Sequence, residues 1–189
     1  MNIIVKILFF TFLSSFLVFD TYGQEDKKNI RKGNQLYENG KYEEAEQNYR
    51  QALDENSNSF EGAFNLGDAA YKQEKYEDAI AQFDLSSKQL KENDKISKSY
   101  YNLGNSLLKS KDYEKSVEAF KNALRNDPSD LDSKYNLAYA QQKLKEQQKQ
   151  EQQNDEENKN KDDKGHTMLC CIIFFHVVHV FKENTPQHS

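Results

Sequence analysis

The sequence of 189 residues predicts an all-α fold, a solenoid of three helix–turn–helix repeats followed by a capping helix and a disordered tail. Three observations support this prediction. Small and aromatic residues recur in register through the middle of the chain, and apolar residues within each repeat return at helical spacing. The two cysteines are adjacent and lie near the C-terminus, so no disulfide framework holds the middle of the chain and packing must stabilise it.

Five columns of residues define the repeat. The first column contains Gly33, Gly67, Gly104 and Ala138, which are 34, 37 and 34 residues apart. The other columns keep this spacing over three repeats and consist of Tyr42, Tyr76 and Tyr113; Ala45, Ala79 and Ser116; Tyr49, Phe83 and Phe120; and Ala52, Ser86 and Ala123. One helical pair cannot bury both of its faces, so about three stacked units are needed for stability.

The small residues predict how the two helices of a repeat pack. Gly67 is expected to lie against Ala79, and Gly104 against Ser116, because small side chains allow two helix backbones to approach closely. The aromatic rings would then fill the space around each such contact. Three additional residues between repeats two and three, around KENDKIS, are expected to lengthen the second helix of repeat two.

Residues 1–23 are predicted to be a secretory signal peptide. Lys6 is followed by an apolar run from Ile7 to Phe19, and small residues precede a cleavage site after Gly23. The mature protein would be exported and periplasmic or associated with the cell envelope. The alternative is an uncleaved membrane anchor, although a membrane span needs about 20 apolar residues.

The helical array is assigned to residues 24–142, and two segments of different composition follow it. Residues 143–165 are charged, rich in Gln and almost devoid of apolar side chains, so the helix is expected to continue for some turns and then give way to disorder. Residues 166–189 are apolar and contain every His and Cys of the chain. This segment is interpreted as lying at a membrane surface, as packing on the array, or as the product of a shifted reading frame.

Metal ligands were sought in the same C-terminal segment. The candidates Cys170, Cys171, His176 and His179 have a spacing that matches no zinc pattern, so no metal site is predicted. The array itself contains no His, no Cys and no Gly-rich phosphate loop. We therefore predict no enzymatic activity and no cofactor. The net charge of −5 disfavours nucleic acid as a partner, because phosphate binding needs clustered Lys and Arg.

The columns of Leu-Gly, Tyr, Ala, Phe, Ala and Pro resemble the tetratricopeptide repeat over about Asp26 to Lys145. Departures are Lys32 for the usual Leu, and Ser86 and Ser116 for Ala. The resemblance implies that the first helix of each repeat lines a concave surface that binds a protein or peptide partner. The residues expected on this surface are Asn34, Tyr37, Phe64, Asn65, Asp68, Tyr71, Lys98, Tyr101, Asn102, Asn105, Tyr135, Asn136 and Tyr139.

Amides alternating with aromatic rings suit an extended peptide, because amides pair with backbone groups and rings cover apolar side chains. The alternative is that the asparagines are ordinary helix-surface residues of the family. Chaperone-binding members of the family hold a C-terminal carboxylate with five Lys, Asn and Arg positions. Asn34, Asn65 and Lys98 match these positions, whereas Ile30 and Asn102 replace basic residues, so strong capture of a free C-terminus is not expected.

The exported start, the three repeats, the cap KYNLAYAQQKL and the polar tail together resemble the small repeat protein of Bacteroides-type aerotolerance operons. That resemblance implies a periplasmic adaptor that works beside membrane proteins bearing von Willebrand factor A domains and is linked to oxidative-stress tolerance. Two alternatives remain at this stage. One is a structural or assembly protein that self-associates, and the other is a membrane-associated protein that acts through its apolar C-terminal segment.

Overall fold

The computed structural model describes residues 25–89 and 92–155, and these residues form seven helices and no strand. The helices are α1 (25–38), α2 (Tyr42–Glu55), α3 (Phe60–Lys72), α4 (Tyr76–Gln89), α5 (Asn93–Lys109), α6 (Tyr113–Asn126) and α7 (131–155). The prediction of three helix–turn–helix repeats followed by a capping helix is therefore confirmed. The predicted signal peptide, residues 1–23, and the apolar segment, residues 166–189, lie outside the described residues.

The chain divides between Gln142 and Lys143 into two compact units. The first contains α1 to α6 and the beginning of α7. In the second, residues 143–155 are helical, in line with the expectation that the helix continues for some turns; the disorder predicted for 156–165 lies outside the described residues. No helix of the described ranges combines the length and the hydropathy that crossing a bilayer requires.

The core of the first unit is built around three aromatic rings. Tyr49, Phe83 and Phe120 each contribute one ring, and none of them is more than 2% exposed. They come from the same turn of α2, α4 and α6, seven residues after the tyrosine that begins each helix. The predicted buried column is thus present in all three repeats, and its regular spacing gives each repeat the same central contact.

Each glycine of the column lies against an aromatic ring, a contact that was not predicted from the sequence. A Cβ atom built on each glycine would come within 2.8 Å of the ring of its own repeat, far closer than carbon atoms can pack. The pairs are Gly33 with Tyr49, Gly67 with Phe83, and Gly104 with Phe120. The expected contact with the small residue is seen at Ser116, whose Oγ donates to the carbonyl of Gly104 at 2.9 Å. The main reason for glycine is therefore the ring that lies against it, rather than close approach to Ala or Ser.

The turn inside each repeat uses a residue with left-handed backbone conformation. Gly40, Glu74 and Lys111 have φ angles of 75°, 60° and 66° at equivalent positions. In the first turn the N–H of Lys41 donates to the carbonyl of Leu36 at 2.9 Å. Of the two hydrogen bonds that close a Schellman motif, this is the one that spans more residues. The same bond recurs in the other two turns. The first helix of each repeat therefore ends in the same way, with glycine in only one of three cases.

The three additional residues between repeats two and three lengthen a different helix from the one predicted. The second helix of repeat two, α4, has 14 residues like α2 and α6, whereas α5 has 17 residues against 13 for α3. The added turn at the start of α5 is anchored by packing, because Ile96 is half-buried and Lys95 Nζ lies 5.7 Å from the ring centre of Phe60. Ser97 Oγ also donates to the carbonyl of Ala123 on α6 at 3.0 Å.

Candidate functional site

All residues predicted to face a partner lie on the first helices, which are α1, α3, α5 and the first three turns of α7. We call the surface formed by these thirteen side chains the groove. Asn34 and Tyr37 lie on α1; Phe64, Asn65, Asp68 and Tyr71 on α3; Lys98, Tyr101, Asn102 and Asn105 on α5; and Tyr135, Asn136 and Tyr139 on α7. The large side chains that are most exposed lie on α7, where Tyr135 is 73% and Tyr139 is 42% exposed.

Polar side chains of the groove pair with one another from helix to helix. In each pair the residue after the glycine column accepts from an asparagine of the next first helix, so the three hydrogen bonds are in register. Asn65 Nδ2 donates to Asn34 Oδ1 at 3.0 Å, Asn102 Nδ2 to Asp68 Oδ1 at 3.1 Å, and Asn136 Nδ2 to Asn105 Oδ1 at 2.9 Å. We call these three bonds the polar ladder.

The polar ladder changes the role that the sequence suggested for the amides. Their side chains hold neighbouring repeats together, which favours the interpretation that several of them are structural. The sequence contained a signal for this arrangement. Each acceptor directly follows a residue of the glycine column, and each donor lies two residues before the next member of that column. The partners are therefore 31, 34 and 31 residues apart, three fewer than the repeat spacing.

A cleft of about 170 Å³ opens at the α1–α3 end of the groove. Its lining comes from α1, α2 and α3 and consists of Asn34, Tyr37, Glu38, Tyr49, Asn65 and Asp68. The Tyr49 hydroxyl donates to Asn34 Oδ1 at 2.8 Å, which places the polar end of a core ring on the wall of the cleft. Glu38 and Tyr49 were not among the predicted groove residues. Tyr49 had been assigned to the core alone, because its ring occupies the same column as two phenylalanines.

The electrostatics of the cleft are dominated by Asp68. Burial raises the pKa of its carboxyl to about 6, and the nearby Lys72 only partly opposes this effect. Burial, with smaller contributions from Asp68 and Tyr42, raises the pKa of Tyr37 to about 12. Burial also raises the pKa of Tyr49. The phenols are therefore neutral at physiological pH, and Asp68 and the exposed Glu38 supply the negative charge.

The α5–α7 end of the groove is mainly aromatic, and none of its predicted members is a carboxylic acid. Tyr101 packs edge-on against the core ring of Phe120, with ring centres 6.1 Å apart. Asn136, besides its bond in the polar ladder, donates to the Tyr101 hydroxyl at 3.4 Å. Beyond them, Leu131 is 74% exposed and lies four residues before Tyr135 on the same face of α7. This end offers apolar surface where the α1–α3 end offers charge.

The positions compared with a carboxylate clamp are arranged as follows. Lys98 Nζ is exposed and pairs with Asp94 Oδ2 at 2.9 Å, one turn earlier on α5. Asn102 donates to Asp68, and Ile30 is half-buried on α1. The two positions that lack a basic residue are thus taken by an apolar side chain and by a member of the polar ladder. Asp68 adds a carboxylate beside Asn102.

Over residues 25–89 and 92–155, no three His, Cys, Asp or Glu side chains come together as metal ligands would. The four Cys and His candidates near the C-terminus lie outside this part of the chain.

Comparison with known families places tetratricopeptide-repeat models on residues 30–90 and 97–130. Together the two matches take in just over half of the 189 residues. No curated protein matches the sequence significantly.

Several solved structures share the fold. The first tetratricopeptide domain of Spaghetti (RPAP3), bound to the HSP90 peptide SRMEEVD, is 21% identical with a TM-score of 0.60, over 64% of this chain and 94% of that one. The second such domain of human RPAP3, in complex with the HSP70 peptide SGPTIEEVD, is 19% identical with a TM-score of 0.59, over 64% and 98%. The Sgt2 domain from Aspergillus fumigatus is 21% identical with a TM-score of 0.59, over 66% and 82%. The chain belongs to the tetratricopeptide-repeat family.

Proposed function

We propose that the protein is a non-catalytic adaptor that holds an extended segment of a partner protein in the groove. The observation that carries this proposal is the exposed apolar face of α7. Leu131, Tyr135 and Tyr139 are spaced by four residues and therefore share one face, and they make up three of the four large apolar side chains that are exposed in the described ranges. An exposed apolar patch of this kind is typical of a protein-interaction site.

The similar structures support a peptide as the bound form of the partner, because two of them contain peptides of HSP90 and HSP70. Those peptides, SRMEEVD and SGPTIEEVD, are acidic at their C-terminal ends. In this chain Ile30 and Asn102 replace basic residues and Asp68 adds negative charge. We therefore infer that the adaptor binds a segment of different chemistry from an acidic C-terminus.

The cellular setting of the proposal rests on the sequence. The predicted signal peptide supports export to the periplasm or the cell envelope, with membrane association through the termini as a further expectation. The resemblance to the aerotolerance-operon repeat protein supports membrane proteins with von Willebrand factor A domains as partners, and a role in oxidative-stress tolerance. Cell fractionation of the full chain tests export. Recovery of the protein in the cytoplasm, with residues 1–23 still attached, would contradict it.

Site-specific photo-cross-linking tests the adaptor function. A photo-reactive phenylalanine analogue is placed at Tyr135 of the full chain in its native cells. The control carries the same analogue at Ala81, which is exposed on α4. This helix is the second of its repeat and contributes no residue to the groove. We expect cross-links from position 135, but not from position 81, to a short segment of one other protein. Mass spectrometry identifies the cross-linked peptide.

Other cross-linking results contradict the proposal. Cross-links from position 135 to a second copy of the chain would indicate the self-associating structural protein instead. Equal cross-linking from positions 135 and 81 would show that the groove is not the binding surface. If deletion of residues 165–189 abolished the cross-link from position 135, the apolar C-terminal segment, and not the groove, would recruit the partner.

A further inference from the structure

We propose that the cleft between α1 and α3 receives a lysine or arginine side chain of the bound segment. This proposal rests on the adaptor function proposed above. The groove would thus select a partner segment with a basic residue at one end and an apolar stretch toward the α7 end. The neighbouring structures hold acidic peptides, so this preference is opposite in charge to theirs.

The charges on the cleft support a cationic occupant. Among its six lining residues two are carboxylic acids, Glu38 and Asp68, and none is basic. Asn102 is the one hydrogen-bond donor to the Asp68 carboxylate within the described ranges, and it reaches Oδ1 alone. A carboxylate has room for several donors, so Asp68 retains acceptor capacity for an ammonium or guanidinium group.

The shape and the remaining lining of the cleft favour a side chain over a larger ligand. About 170 Å³ is smaller than the roughly 300–1,000 Å³ typical of small-molecule pockets, and suits the end of one side chain. The ring of Tyr37 forms part of the wall, and aromatic faces attract Lys and Arg cations. The amide oxygen of Asn65 supplies a further acceptor, whereas that of Asn34 already accepts from Tyr49 and Asn65.

The polar ladder identifies Asp68 as the residue that distinguishes this site. The acceptor is an asparagine in the first and third bonds and an aspartate only in the second. An asparagine at position 68 would accept the same hydrogen bond from Asn102 without placing a charge in a partly buried site. Holding the repeats together therefore does not explain the carboxylate, whereas binding a cation does.

Binding should depend on the protonation of Asp68. The groups that face it are Tyr37 and Glu38 on α1, Tyr49 on α2, Lys72 on its own helix and the neutral Asn102 on α5. Burial raises its pKa to about 6, so affinity for a basic peptide should fall as the pH decreases through that value. Affinity for a peptide without a basic residue should not change in this range.

The test uses a library of random peptides displayed on phage and selected on the full chain. Selected peptides are then synthesised with acetylated and amidated ends, so that side chains alone carry charge, and their Kd values are measured. Three proteins are compared: the natural chain, Asp68→Asn, and the control Asp78→Asn, which removes an exposed carboxylate of α4. Each peptide is also made with its basic residue replaced by Gln.

We expect the selected peptides to share one Lys or Arg position. Replacing it by Gln should weaken binding about tenfold or more to the natural chain and to Asp78→Asn, and by less than about twofold to Asp68→Asn. An equal loss on all three proteins, or selection of acidic peptides, would overturn the inference.

The failure of this inference can be distinguished from the failure of the adaptor function. For this purpose the Kd values are also measured on Tyr135→Ala. Peptides that lose affinity for Tyr135→Ala but show no preference for a basic residue would leave the adaptor function standing and refute the cationic site. If no selected peptide lost affinity for Tyr135→Ala and no cross-link formed at that position, both proposals would be wrong.

Discussion

The two ends of the groove share one architecture and differ in chemistry. At the α1–α3 end, charged and polar side chains surround a cleft, and Tyr49, Asn34 and Asn65 are joined by hydrogen bonds. At the α5–α7 end, Tyr135 and Leu131 are largely exposed, and the polar ladder contains only neutral groups. Repetition of the core columns therefore holds the framework constant, while positions beside those columns vary and determine what each end can bind.

A similar contrast appears where the second helix of one repeat meets the following repeat. Between repeats one and two, Glu46 accepts hydrogen bonds from Lys75, Gln73 and Arg50 at 2.8–3.0 Å. At the equivalent position of repeat two, Ile80 packs against the hydrophobic cluster that includes leucines of α5. At this one position, therefore, the first junction is ionic and the second is apolar.

The largest effect is expected from truncating the core rings at either end. Tyr49→Ala and Phe120→Ala should each lower the free energy of unfolding by about 3–5 kcal/mol, because both rings are almost fully buried. Urea denaturation followed by circular dichroism measures this. Tyr135→Ala, which truncates an exposed ring, is the control and should change stability by less than about 0.5 kcal/mol. A much smaller loss for one core ring would show that the two ends do not share an equivalent core.

The next effect concerns the ionic junction. Burial alone would raise the pKa of Glu46, but hydrogen bonds from Lys75, Arg50 and Gln73 outweigh it and lower the pKa to about 2. Because this pKa is depressed, the stabilisation is present above the ordinary value of 4.5 and is lost as the pH falls toward 2. Glu46→Gln should therefore reduce stability by about 1–2 kcal/mol near neutral pH and by less in acid.

The matched control for the ionic junction is Glu118→Gln, which removes two exposed ion pairs on α6, with Lys121 and Arg125. It should change stability by less than about 1 kcal/mol, since surface ion pairs contribute little. If Glu46→Gln and Glu118→Gln had equal effects at every pH, the buried contacts of Glu46 would contribute no more to stability than the exposed ion pairs of Glu118.

A smaller effect is expected from exchanging the acceptors of the polar ladder. The raised pKa of Asp68 means that its contribution to stability is fully present below 3.8 and is lost as the pH increases through about 6. Asp68→Asn should therefore stabilise the protein by on the order of 1 kcal/mol at neutral pH and have little effect on stability near pH 3.8. Asn105→Asp, at the α5–α7 end of the groove, should destabilise the protein at pH values above the pKa of the new carboxyl. Urea midpoints measured across this pH range test both, and a stabilisation independent of pH would contradict the assignment.

The smallest effect concerns the turns. Glu74 and Lys111 adopt the left-handed conformation that Gly40 adopts in the first repeat. Glu74→Gly and Lys111→Gly should each stabilise the protein by about 0.5–1 kcal/mol, because glycine lacks the Cβ that strains this conformation. Gly40→Ala should destabilise it by a similar amount. Thermal unfolding measures these changes, and destabilisation by both glycine substitutions would show that side-chain contacts decide the turn.

The repeat columns were predictable because they report local and periodic constraints. A ring seven residues after each tyrosine, within a helix of regular apolar spacing, identifies a buried position whatever the neighbouring repeats contain. Asn34 and Asp68 were assigned to the groove from the resemblance to the tetratricopeptide repeat. Their hydrogen-bond partners were not predicted, because a hydrogen bond between helices depends on how far one repeat is rotated against the next.

The sequence by itself determined the number of repeats, the helix pairing and the identity of the core rings, since helical spacing and repetition are properties of a single chain. Only the tertiary structure decided that rings, rather than alanines, require the glycines, and that the extra turn belongs to α5. It also decided that Tyr49 and Glu38 meet Asp68 around one cleft. These results depend on distances between side chains that are far apart in sequence, and such distances are set only when the helices pack.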